Sequence, residues 1–206
     1  MATDDHPKLY LITPPAFELA DFVPRLCAVL DGAEIACLRL ALATRDEDRL
    51  SRAADACREA AHARDVPLVI DTHLAMVGRL GLDGVHLPDG ARGVRAARKA
   101  LGAEAIVGAF ARASRHDGMN AAEAGADYVA FGPVGVSALG DGTAAPRELF
   151  AWWSEMIEVP VVAEGALTPQ AAASLAGVTD FLAVGEEIWG DDDPLAALAR
   201  ISSALG

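Results

Sequence analysis

Short apolar runs alternate with longer amphipathic stretches from one end of the chain to the other. Lys8–Ile12 (KLYLI), Ile35–Leu40 (IACLRL), Pro67–Ile70 (PLVI) and Gly84–Leu87 (GVHL) read as strands in the first half. Ala105–Ala109, Tyr128–Phe131, Val161–Ala163 and Phe181–Val184 continue the series in the second. PLVI is apolar on consecutive positions, as expected of a strand covered on both faces. Between the strands, apolar residues recur at helical spacing; Leu50, Ala53, Ala54, Cys57 and Ala61 line one face of a helix over Asp46–Arg64. Further helices are predicted at about Glu18–Leu30, His73–Leu80, Gly93–Leu101, Ser114–Ala124, Arg147–Met156, Pro169–Leu175 and Pro194–Leu205. Thr168-Pro169 and Asp193-Pro194 are cap-then-proline starts, because the first helical position needs no amide donor.

Eight strand-then-helix units predict an α/β fold, a single (β/α)8 TIM barrel spanning residues 1–206. An open doubly wound sheet shares the alternation, but LITPPAF follows the first strand where a dinucleotide-binding sheet needs GxGxxG. The longest segment without a predicted element, Gly132–Pro146, is rich in Gly, Ser and Ala. It is expected to be mobile and, following the sixth strand, to lie at the face where barrels carry their catalytic loops.

Composition narrows the function classes. A formal net charge of −13 leaves no basic surface for displacing counterions from nucleic acid, and disfavours docking on anionic membrane. No apolar run approaches bilayer length, and Met1–Lys8 is polar and acidic rather than a signal peptide, so a cytoplasmic location is expected. Cys27, Cys37 and Cys57 form no CxxC pair and read as buried reduced thiols.

The motifs at the strand ends, in order, are YLIT at Tyr10–Thr13, LR at Leu38–Arg39, LDGVHL at Leu82–Leu87 and GADYVAFGPV at Gly125–Val134. PVVAEGALTP at Pro160–Pro169 and DFLAVGEEI at Asp180–Ile188 complete the set. In this order they resemble the thiamine-phosphate synthase and thiazole tautomerase superfamily over nearly the whole chain. The resemblance implies a small-molecule enzyme that couples a pyrimidine diphosphate to a thiazole phosphate and releases pyrophosphate with magnesium. Such chemistry needs cations and metal-bound carboxylates to hold the departing charge.

Laid on the family pattern, Arg39 matches, while Cys37 and Ala41 stand where the resemblance implies glutamine and lysine. Asp71-Thr72-His73 replaces an Asn-Asp-Arg run, and Ala91 takes the second metal carboxylate's place, with Asp89 nearby. Phe110 replaces a serine; Ser137, Leu139 and Gly140 replace Thr, Thr and Lys; Pro133 replaces the tautomerase branch's histidine. Magnesium is thus expected for the family, but its ligands are not retained, and no metal site is predicted. The alternative expectation is a non-catalytic or repurposed small-molecule-binding or regulatory barrel.

The candidate catalytic residues are Arg39, Asp71, His73 and Glu164. The candidate ligand- or phosphate-binding residues are Gly132, Ser137, Gly165, Ala166, Gly185 and Glu186. Asp71 and His73 read either as a base and its orienter or as a helix cap and a surface residue. Arg39, charged within an apolar strand, either reaches a ligand anion or pairs with a neighbour such as Glu164. His86 reads as a hydrogen-bonded structural residue, and His116 with Arg112 and Arg115 either as an anion patch or as a solvated helix start. Trp152 and Trp153 read as core packing or a subunit contact. Glu164, Glu186 and Glu187 would repel a phosphate dianion if they point inward, so a neutral or cationic ligand suits that rim better. The expected partner is a thiamine-pathway heterocycle or phosphate; pairing into a homodimer is left open.

Overall fold

A computed structural model describes residues 6–205; most of the polar opening stretch lies outside the described residues. The elements alternate strictly: β1 (Lys8–Ile12), α1 (Leu19–Gly32), β2 (Ile35–Leu40), α2 (Glu47–His62), β3 (Leu68–Asp71), α3 (Leu74–Leu80), β4 (Gly84–Leu87) and α4 (Val94–Leu101). There follow β5 (Ile106–Phe110), α5 (Arg115–Glu123), β6 (Tyr128–Phe131), α6 (Arg147–Met156), β7 (Val161–Glu164), α7 (Pro169–Leu175) and β8 (Phe181–Val184). The short α8 (Glu186–Trp189), α9 (Pro194–Ser202) and a 3-10 turn end the order. All neighbouring strands are parallel, and β1 pairs with both β2 and β8, closing the barrel. The open doubly wound alternative is excluded.

Alternation along each strand divides the apolar residues between two cores. Leu38, Leu40, Ile70, Val85, Val129 and Leu182 point outward into a layer shared with the helices. Tyr10, Cys37, Val69, Phe110, Tyr128 and Val162 fill the lumen. Two residues beyond Cys37, Val69 and Val162, the same parity brings Arg39, Asp71 and Glu164 to the C-terminal mouth. Those strand ends were legible only in part. Asp71 and Glu164 are the last residues of β3 and β7, where their polarity suggests loop.

The helix starts follow their caps. Asp46 accepts hydrogen bonds from the Asp48 and Arg49 amides, and Ser114, Thr168 and Asp193 cap α5, α7 and α9 in the same way. α3 departs from expectation. Its N-cap is His73, which makes no side-chain cap bond, so Asp71 is not the cap.

At the opposite end a single device recurs. Asp83, Asp127 and Asp180 immediately precede β4, β6 and β8. Their Oδ2 atoms accept from the amides of Leu68, Val107 and Val161 at 2.7, 2.6 and 2.7 Å, at the starts of the preceding strands β3, β5 and β7. Each carboxylate thus fastens one strand start to the next, which fixes register on the barrel floor.

Candidate functional site

Arg39 stands at the centre of the mouth. Its Nη2 lies 2.8 Å from Glu164 Oε2, reaching across the lumen, and its Nε lies 3.5 Å from Asp71 Oδ1. The Arg39 and Glu164 side chains are 8% and 2% exposed, and that of Asp71 is 37% exposed. Of the two readings of Arg39, the structure realises the pairing with Glu164. Burial alone would lower the guanidinium's pKa, but Glu164 and then Asp71 outweigh it and hold the charge firmly in place. Burial also raises the Glu164 carboxyl above its usual range, a shift that Arg39 limits and Asp71 adds to. The Asp71 carboxyl is raised too, by burial against the opposing pull of Arg39.

Below this triad, a hydrogen-bonded chain descends into the barrel. Arg39 Nη1 is 2.9 Å from His86 Nε2, His86 Nδ1 is 2.9 Å from Tyr128 Oη, and Tyr128 Oη is 2.7 Å from Tyr10 Oη. A guanidinium has only donors, so His86 Nε2 must accept and the ring is neutral with its proton on Nδ1. Nδ1 then donates to Tyr128. Burial, reinforced by Arg39, accordingly holds the His86 pKa well below its ordinary value. Both ring nitrogens of His86 are thus hydrogen-bonded, to Arg39 and to Tyr128.

His73 does not join this group. Its Nδ1 is 2.7 Å from the backbone carbonyl oxygen of Asp71, while the Asp71 carboxylate faces Arg39. The base-and-orienter pairing of Asp71 with His73 is corrected by that geometry. The Arg112–Arg115–His116 patch is dispersed as well. Arg112 approaches Asp89 at 3.6 Å, Arg115 lies over the Trp152 ring, and His116 accepts from Asn120. Trp153 is buried against Phe131 and donates to the Val159 carbonyl, a core role.

A cavity of about 220 Å³ opens above the triad. Arg39, Ser137, Glu164, Gly165, Ala166, Gly185, Glu186 and Glu187 line it, so most of the residues singled out from sequence converge there. Gly132 is not on its wall. It is packed beneath Glu164, where a Cβ would sit 2.3 Å from the Glu164 carbonyl oxygen. A larger groove of about 550 Å³ adjoins the cavity, sharing Pro15 and Glu186, between the loop after β1 and α8.

Two features escaped the sequence reading. One is α8 itself, whose four residues are too few to carry a periodic signal. The other is the grip of Glu187 on two amides: its Oε1 accepts from the Leu167 amide at 3.0 Å and its Oε2 from the Gly185 amide at 2.7 Å. One carboxylate thereby joins the loops after β7 and β8. The mouth also stores backbone strain: Thr72, Arg112 and Ala166 hold positive φ angles of 60, 54 and 56°, each one or two residues past a strand end. For Thr72, β-branched, that conformation is a genuine outlier. Among the described residues, no group of three or more His, Cys, Asp or Glu side chains is arranged to hold a metal ion.

A closed parallel barrel with its buried charges gathered at the C-terminal mouth is the architecture of small-molecule (β/α)8 enzymes. The family model described as thiamine monophosphate synthase matches residues 9–188. The thiamine-phosphate synthase of Rhodospirillum centenum is 42% identical over 203 residues, covering 96% of this chain and 97% of its own. That of Erythrobacter litoralis is 38% identical, with 93% and 92% covered. The structure of a thiamine phosphate pyrophosphorylase from Pyrococcus furiosus superposes with a TM-score of 0.83 at 22% identity, covering 96% of this chain and 95% of that one. A 3-hexulose-6-phosphate synthase shares the fold at a TM-score of 0.72 and 18% identity, covering 96% and 100%. The chain belongs to the thiamine monophosphate synthase family. No helix among the described residues is long and apolar enough to cross a membrane.

Proposed function

We propose that this chain serves thiamine biosynthesis in the cytoplasm by binding a heterocycle of that pathway at the barrel mouth, with the family's magnesium-assisted coupling reaction strongly reduced there. The names of its relatives, thiamine-phosphate synthases at 42% and 38% identity, support the pathway. The single observation that carries the rest is the pairing of Arg39 with both Glu164 and Asp71. The one retained cation of the second strand is already neutralised by two carboxylates. A departing pyrophosphate would have to displace a buried carboxylate to reach it, and would meet like charge in a poorly solvated site.

The donors present do not fit a hard dication. Asp71 and Glu164 are engaged by one guanidinium, Asp89 faces Arg112, and Thr72 and Ala91 offer no carboxylate. What the residues suit is binding. Arg39, Ser137 and the backbone around Gly165 and Ala166 offer polar contacts in a cavity sized for one small ring.

The test is thiamine phosphate formation from both family substrates with magnesium, run beside calorimetry with the separate pyrimidine and thiazole compounds. Binding without product supports the proposal. Product formed at a rate matching an active family member overturns it, and absence of any binding removes the heterocycle. A non-catalytic regulatory barrel is the second reading, favoured by the same neutralised cation. It predicts binding of thiamine or its phosphate rather than of the precursors.

A further inference from the structure

Barrels of this type commonly receive a ligand's phosphate on backbone amides from the loops after the seventh and eighth strands. Here those loops are joined by the chain's own anion. Glu187 takes the Leu167 amide with one carboxylate oxygen and the Gly185 amide with the other, at 3.0 and 2.7 Å. The side chain is half-buried and lines the mouth cavity. A dianion entering from the mouth would find both amides occupied and a carboxylate in its place.

A second observation concerns the cavity's inner wall. Glu164 is buried there, and the donor facing its Oε2 is Arg39 Nη2 at 2.8 Å. A carboxylate accepts more than one donor, so a ligand bearing an N–H or O–H group can add its contact to that of Arg39 at Glu164, which lines the cavity. One wall therefore excludes anions and the other can accept a donor.

We propose that Glu187 is a specificity-determining residue: an internal stand-in for phosphate that sets this mouth to take an unphosphorylated, neutral or cationic heterocycle bearing an amine or alcohol donor, and to reject phosphorylated ones. This deepens the proposed function and rests on it for the heterocycle. The exclusion of phosphate rests on Glu187 alone.

The experiment compares wild type, Glu187→Ala and Glu187→Gln, each checked for folding by circular dichroism. Inorganic phosphate is titrated while the Gly185 and Leu167 amide resonances are followed by NMR. Calorimetry with a thiazole alcohol and its phosphate ester completes the comparison. Freeing two amides and removing one like charge is expected to raise phosphate affinity at least about tenfold in Glu187→Ala. Glu187→Gln keeps one of the two acceptor oxygens, loses the charge and is expected to gain less. Wild type should prefer the alcohol, and Glu187→Ala should shift that preference toward the ester. A folded Glu187→Ala protein that gains no phosphate affinity, or a wild type that binds phosphate as tightly, overturns the inference. A gain in phosphate binding with neither heterocycle bound upholds the anion exclusion and instead removes the heterocycle from the proposed function. If Glu187→Ala fails to fold, the same criteria apply to Glu187→Gln.

Discussion

Arg39 on β2 and Glu164 on β7 meet across the barrel mouth at 2.8 Å, with neither side chain more than 8% exposed. Neither charge has enough water to stand alone. Replacing Arg39 with Met leaves Glu164 without its partner and is expected to cost about 3–5 kcal/mol. Arg39→Met combined with Glu164→Leu is expected to recover part of that loss, because the apolar pair removes both charges together while Asp71 and His86 still lose their contacts with Arg39. Urea denaturation of the two variants beside wild type measures the difference; equal loss in single and double variants refutes the coupling.

His86 gives the mouth an acid sensitivity. Its folded-state pKa lies well below the ordinary value of 6.5, chiefly through burial and then through Arg39. The unfolded chain therefore takes up the proton first, so this contribution to stability is full above about pH 6.5 and is lost as pH falls below it, by up to about 1.4 kcal/mol per unit. Asp71 and Glu164 act in the opposite sense, since their carboxyls are raised in the fold. Comparison with His86→Gln isolates the histidine. Between about pH 7 and pH 5 the variant is expected to lose less stability than wild type; parallel curves contradict the assignment.

Cys37 and Cys57 are buried thiols whose pKa values burial pushes up to about 12. With almost no thiolate at neutral pH, neither should react with an alkylating reagent while the protein is folded. Cys27, half-buried on α1, is expected to carry the single adduct seen by mass spectrometry of the native protein, and all three should react in denaturant.

On the floor, Asp127 Oδ2 holds the Val107 amide at 2.6 Å and also pairs with Arg98. Asp127→Ala strands that amide at the start of β5 and is expected to lower stability by about 1–3 kcal/mol. Asp127→Asn, which keeps an acceptor oxygen, should lose less. Thermal melts of both variants decide the point.

Fold and site differed in how far they could be read from the chain. Strand-then-helix alternation sufficed for the barrel, because short apolar runs separated eight times by helix-length amphipathic stretches leave a parallel sheet covered by helices as the arrangement that buries them all. The convergence of Arg39 with Glu164 was also accessible, since a charge within IACLRL must find a partner. The roles of Asp71 and His73 were not. Which atom of Asp71 meets His73 depends on the left-handed turn at Thr72, and no local pattern announces a positive φ on a β-branched residue. Glu187 was noticed as a repelling charge, but its grip on the Leu167 amide spans 20 positions and comes from tertiary closure.

The aspartate stitches under β3, β5 and β7 have a consequence for how such a protein can change. They settle the pairing of strands at one end of the molecule, about a barrel's height from the chemistry. Substitutions around Arg39 can then accumulate, trading one ligand for another, while the scaffold underneath keeps its shape. A floor of that kind separates what holds the barrel together from what its mouth can bind.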